Sequence, residues 1–219
     1  MWRTQRHTPM SRKKRKTNYR SIELTESLWL SFNNPDVDLY EKFWPWVSAS
    51  QWQLYTAGCC RRIERLMGDE RSRRIGHALE EHAAGKLTTE LLYLAVLEAR
   101  QAYSEVYVAG ANATDSENTA CQAARTAVRA AEVVYFDAPS DAAWKTPHSK
   151  QDFPRVRARI AASATFSAVE AAIAAARDAA GPEKNRREIW RDVGKRERQL
   201  HCDRLREIVG NPFRRADDN

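Results

Sequence analysis

With 219 residues and 42% hydrophobic content the chain can bury one sizeable core, and its formal charge of +7 is gathered at one end. Residues 1–20 hold eight Lys or Arg and no acid, so the remaining 28 basic and 29 acidic residues leave a body near −1, which excludes a chain basic throughout. Residues 21–144 carry 11 basic and 18 acidic residues and 145–219 carry 17 and 11, an acidic front and a basic rear whose faces can meet inside the fold or between copies.

The like-charge block Arg12, Lys13, Lys14, Arg15 and Lys16 has no apolar periodicity, and residues 1–20 are expected to be a disordered tail. As a tether it would suit nucleic acid or another anionic surface. Thr25 is placed to cap a short first helix that Asn33-Asn-Pro35 stops, and Asp36 a second, from Val37 to Phe43. Trp29, Trp44, Trp46 and Trp52 lie within 24 residues and read as core anchors.

Ser50 to Met67 reads as the helix around which the rest is arranged, with Tyr55, Cys59, Ile63, Leu66 and Met67 on its inner stripe and Arg61, Arg62 and Arg65 outward. Gly68 stands where a left-handed cap is usual, and Asp69 can open the next helix at once. That helix runs to Ala84 with Ile75, Ala78, Leu79 and Ala83 inward, and Gly85 stops it. Thr88 or Thr89 caps a long helix to about Val108, apolar at Leu91, Leu92, Ala95, Val96, Ala99, Ala102, Tyr103 and Val106. After a loop at 110–115, Thr114-Asp-Ser-Glu117 matches a capping box opening an alanine-rich helix to about Phe136. Residues 137–151, with Pro139 and Pro147, form the longest irregular stretch expected.

From Asp152 a helix runs to Ala180 with twelve alanines after residue 157, so an alanine-rich neighbour can approach closely. Gly181-Pro182 separates it from a last helix, Glu183 to Val209, with Trp190, Val193, Leu200, Leu205 and Ile208 inward. The final helix is expected to cover Ser50–Met67. No segment alternates like a strand. The fold class is therefore all-α: a single-domain bundle of about seven helices over residues 21–214, with tails at 1–20 and 215–219.

Cys59, Cys60, Cys121 and Cys202 have no ligand-like spacing and read as free thiols of a reducing, cytoplasmic protein. Glu23 and Glu26 interrupt the first candidate secretory segment, and Ala161–Ala176 is too short to span a bilayer and contains Glu170, so no membrane partner is expected.

Zinc held by Cys59, Cys60, His201 and Cys202 is opposed by the 100° between adjacent helical residues, and His77 and His82, five apart, do not share a face. A thiol nucleophile lacks an identifiable base. Paired carboxylates at Glu80 and Glu81, or Asp69 and Glu70, have only adjacency in their favour. The phosphate loop, nucleophile elbow and His-Glu-x-x-His motif are missing, so no catalytic, cofactor or metal residue is assigned. Asn211-Pro-Phe213 matches a peptide bound by some endocytic adaptor domains, but after Gly210 it reads as a helix stop with Phe213 folded back. Arg61, Arg62, Arg65, Arg71, Arg73 and Arg74 flank one turn, interleaved with Glu64, Asp69 and Glu70, a pattern of ion pairs rather than a phosphate site.

Three stretches carry a resemblance: Thr25-Glu-Ser-Leu-Trp-Leu30; Cys59-Cys-Arg-Arg-Ile63 with Asp69-Glu-Arg-Ser-Arg-Arg74; and Leu205-Arg-Glu-Ile-Val-Gly-Asn-Pro-Phe-Arg214. Together they resemble a helical family of planctomycete bacteria that has no assigned activity. The likeness spans about residues 25–214 and rests on Trp29, Cys59, Cys60, Arg61, Arg62, Asp69, Arg71, Arg74, Gly210, Asn211, Pro212 and Phe213. Arg215 departs from it, standing where a second proline usually follows. The resemblance implies the domain bounds and no chemistry. The function expected is a non-enzymatic helical module for a protein partner or self-association. The alternatives are nucleic-acid association through the tail and a metal- or thiol-dependent enzyme.

Overall fold

The computed structural model describes residues 23–34, 37–109, 115–132, 153–181 and 185–213. The basic tail, Thr114 of the expected capping box and the irregular 137–151 stretch lie outside them. Eight α-helices, against the about seven expected, and no strand occur among the described residues: α1 (Glu26–Ser31), α2 (Val37–Phe43), α3 (Ala49–Ile63), α4 (Glu70–Ala83), α5 (Thr89–Ala109), α6 (Asp115–Glu132), α7 (Phe153–Ala180) and α8 (Arg186–Val209). A 3-10 turn, Trp44–Trp46, follows α2, and another, Glu64–Leu66, follows α3.

Local chemistry sets the helix ends. The hydroxyl of Thr25 accepts from the Leu28 amide and starts α1, whereas α3 opens on a capping box in which Ser48 and Gln51 satisfy each other's backbone amides. That box moves the start of the central helix to Ala49, ahead of the expected Ser50. Its other end also differs from expectation. The chain tightens into the Glu64–Leu66 turn and leaves through an extended Met67 (φ −81°, ψ 109°), so Gly68 is not the left-handed cap. Positive φ occurs at Gly85, Gly181 and Gly210. Asp69 does cap α4, its carboxylate accepting from the Arg71 amide.

A single contiguous cluster of buried side chains draws on all eight helices, with Trp29, Tyr40, Trp52, Tyr55, Ile63, Ile75, Leu79 and Leu205 among its largest members. The two alanine-rich helices, α6 and α7, share the most extensive contact of any pair. Ala123, Ala127 and Ala130 on one and Ala161, Ala164, Ala168 and Ala171 on the other are buried at helical spacing, so small side chains let the backbones approach. Residues Val156–Ala180 of α7 are long and apolar enough to cross a membrane by length and composition, a correction to the shorter span expected, and 61% of that stretch is buried inside the bundle.

The ends of the body meet as expected. α8 packs on α3, and Gln51 on α3 donates to the Ile208 carbonyl at 3.1 Å, satisfying a group that the end of α8 would otherwise leave open. Arg206 on α8 donates to the carbonyls of Trp29 (3.3 Å) and Phe32 (2.8 Å) and lies over the Phe32 ring. One guanidinium thus closes the short α1.

Candidate functional site: a buried polar relay beside a charged cleft

The inner stripe of α3 carries Tyr55 and Cys59 four residues apart, one above the other, both fully buried. Tyr55 Oη lies 2.6 Å from Tyr40 Oη and 2.7 Å from Thr165 Oγ1 on α7. Thr165 donates its own proton to the Ala161 carbonyl at 2.9 Å. It must therefore accept from Tyr55, which must in turn accept from Tyr40, so the relay has one direction. Cys59 Sγ continues it, 3.7 Å from Thr165 Oγ1 and 3.5 Å from His201 Nδ1 on α8. Tyr40, Tyr55, Thr165, Cys59 and His201 thereby link four helices through the middle of the core.

Burial decides the charge state of this relay. It pushes the Cys59 thiol up to about 12, as it does that of Cys202, and raises Cys60 and both tyrosines well above their ordinary values. Burial, with help from the nearby Arg62, brings His201 down to about 4, against the opposing pull of Glu197. Near neutral pH, Cys59 and His201 face one another as thiol and neutral imidazole, an uncharged contact rather than an activated thiolate pair.

The adjacent cysteines diverge. Cys59 faces α7 and α8, whereas Cys60 Sγ points to the Thr126 carbonyl on α6 at 3.9 Å. Among the described residues no three or more His, Cys, Asp or Glu side chains are placed to hold a metal ion. His82 is engaged elsewhere. Its Nδ1 accepts from Gln53 at 2.9 Å, leaving Nε2 to donate to Thr89 at 3.2 Å, so the ring ties α3, α4 and α5 together.

Above His201 a cleft of about 700 Å³ opens between α3 and α8, with Gly58, Arg61, Arg62, Glu80 and Arg204 on its walls. Its cations are taken up by carboxylates. Arg61 meets Glu64 at 2.5 Å, Arg62 meets Glu197 at 2.5 and 2.9 Å in a forked pair, and Arg204 meets Glu207 at 2.7 Å. Around the α3–α4 turn Arg71 is paired with Asp69 (2.7 Å) and with Glu105, while Arg73 and Arg74 reach Glu70 at 2.8 and 3.9 Å. Hydrogen bonding from Arg71 holds the carboxyls of Asp69 and Glu105 below their usual range. The interleaving of signs in the sequence is realised as ion pairs.

The other expected positions are dispersed. Trp29 is buried edge-on against Phe43. Gly210 closes α8 with φ +74°, a region glycine tolerates best, and its amide reaches the Arg206 carbonyl at 2.8 Å. Asn211 then donates to Glu26 at 2.5 Å and accepts from the Phe213 amide at 3.0 Å, and the Phe213 ring stands 5.8 Å from Trp46. Asn211-Pro-Phe213 is held as a folded-back stop; both aromatic rings remain partly exposed.

Two surfaces leave large apolar side chains exposed. Leu91, one of the apolar positions read along this helix, is 51% exposed, and it shares the outer side of α5 with Tyr93, Leu94 and Leu97. Trp190, expected inward, is 44% exposed, with the Arg198 guanidinium 5.4 Å from its ring centre. Periodicity alone could not reveal either one, because an apolar residue on a helix looks the same whether or not a neighbour reaches it. No family model, no curated protein and no solved structure matches the chain.

Proposed function

We propose that the chain is a non-enzymatic helical module that binds a protein partner, a second copy of itself included. The observation that carries this reading is the outer face of α5. Contacts with α4 and α6 bury Leu92, Val96, Ala99 and Ala102 on one side of that helix, while Leu91, Tyr93, Leu94 and Leu97 stay in solvent on the other. Four half-exposed large apolar side chains within seven residues of one helix are the kind of cluster that marks an interaction surface. The thiol-enzyme alternative is disfavoured by the protonated, buried state of Cys59. With this function we propose one domain over residues 21–214, kinship with the planctomycete family and a cytoplasmic location.

The test places a photocrosslinking residue at Leu94, and as a control at the exposed Arg74, in the full chain expressed in cells. A discrete protein adduct from position 94, absent from position 74 and lost on Leu97→Glu, is the expected outcome. Adducts that are absent, or equal from both positions, overturn the proposal.

A further inference from the structure

The first three turns of α8 combine a half-exposed indole with cations that have no carboxylate partner among the described residues. Residues 187–198 contain Arg187, Arg191, Lys195, Arg196 and Arg198 against Glu188, Asp192 and Glu197. Two of the three acids are consumed: Arg62 comes across from α3 to take Glu197, and Arg191 takes Asp192 at 2.9 Å. That leaves Arg187, Lys195, Arg196 and Arg198 without an ion-pair partner among the described residues. On the helical wheel Arg187, Trp190, Arg191, Lys195 and Arg198 fall on one side, and Glu188 and Asp192 at its edge.

Gly194 builds the platform. A β-carbon there would stand 3.1 Å from Ile173 on α7 and 3.1 Å from an Arg198 guanidinium nitrogen. Glycine is a poor residue for mid-helix, and here the missing side chain leaves room for Arg198 to lie back along the helix against the Trp190 ring. The guanidinium holds the indole from one side by a cation–π contact. The indole remains 44% open.

We infer that this face of α8 binds single-stranded nucleic acid, with one base stacked on Trp190 and the neighbouring phosphates met by Arg187, Lys195 and Arg198. An unpaired base has a free π-face for the indole, which a base inside a duplex does not offer, and a run of unpaired cations complements a phosphate backbone. An acidic protein segment without aromatic side chains would find the cations but nothing to stack on the ring. This inference concerns α8 and stands apart from the α5 surface.

Fluorescence anisotropy of a labelled single-stranded oligothymidylate of about 15 nucleotides, within the span such grooves cover, tests it with the full chain. The basic tail contributes equally to every variant, so differences from wild type report on α8. Trp190→Ala is expected to weaken binding roughly five- to a hundredfold, the weight of one base stack, and Trp190→Phe to restore most of it. Arg187→Gln with Lys195→Gln should flatten the dependence of log K on log salt by about 0.7 per cation removed. Urea unfolding of each variant checks that the fold is intact. Unchanged affinity in Trp190→Ala, equal affinity for a duplex of the same length, or equally effective competition by polyglutamate would each overturn the inference, the last by assigning the face to an acidic protein.

Discussion

Removing the Tyr55 hydroxyl tests the direction of the buried relay. Thr165 gives its proton to the Ala161 carbonyl, so Tyr55 is the donor to Thr165 and Tyr40 the donor to Tyr55. Tyr55→Phe strands the buried Tyr40 O–H without its 2.6 Å acceptor and also removes the bond from Tyr55 to Thr165, a loss of about 1–3 kcal/mol. Tyr40→Phe leaves Tyr55 still donating to Thr165 and removes only an incoming bond, about 0.5–1.5 kcal/mol. In the double variant the stranded donor disappears as well, so its cost falls short of the sum of the two by roughly 1 kcal/mol. Urea unfolding of the four proteins measures all three terms, and thermal midpoints should move by about 2–4 °C per kcal/mol for a chain of this size. A larger loss in Tyr40→Phe than in Tyr55→Phe would refute the assigned direction. An additive cycle would refute the coupling itself.

Leu205, fully buried where α8 meets α3, should lose about 2–5 kcal/mol on Leu205→Ala, with a single calorimetric transition moving as a whole; two transitions of which one is unaffected would break the one-domain proposal. Folded His201 titrates near 4 rather than its ordinary 6.5, so between those values the unfolded chain takes up a proton that the folded chain refuses. Its contribution, about 3 kcal/mol by linkage, is complete above pH 6.5 and lost as pH falls toward 4. Carboxylates titrate nearby, so the readout is the difference between wild type and His201→Gln in urea unfolding from pH 7 to 4.5: wild type should lose stability more steeply, and parallel curves would contradict the assignment.

The sequence showed most clearly what one segment decides alone. Thr25, Asp69 and Gly210 act where they stand, each closing a helix end with its own side chain or its own φ angle. The inner stripe of α3 and the match of α6 to α7 also follow from spacing, because alanines at helical intervals can only be a close contact or a waste of surface. Gly68 misled because a 3-10 turn offers another way to end a helix, and nothing in Glu64-Arg-Leu66 announces it. The relay was invisible for a different reason. Thr165 is 110 positions from Tyr55, and His201 is 142 from Cys59; neither has a motif, and only the packing of α3 against α7 and α8 brings them together.

Trp190 and Leu205 sharpen the same point within one helix. Both sit at positions that a 3.6-residue period assigns to the inner side of α8, yet Leu205 is sealed and Trp190 is half in water. The difference lies in the neighbours. In its C-terminal half α8 packs against α3 and latches α1 through Arg206, and His201, Cys202 and Leu205 are enclosed there. Nearer its start the helix meets α7 at Gly194, where the contact is a backbone against Ile173, and the indole stays 44% exposed. The two halves therefore differ: core substitutions in the second act on stability, whereas the half-exposed Trp190 loses less packing when replaced. A large aromatic left half-exposed, beside cations that have no carboxylate partner among the described residues, is accounted for by something that binds there rather than by the fold.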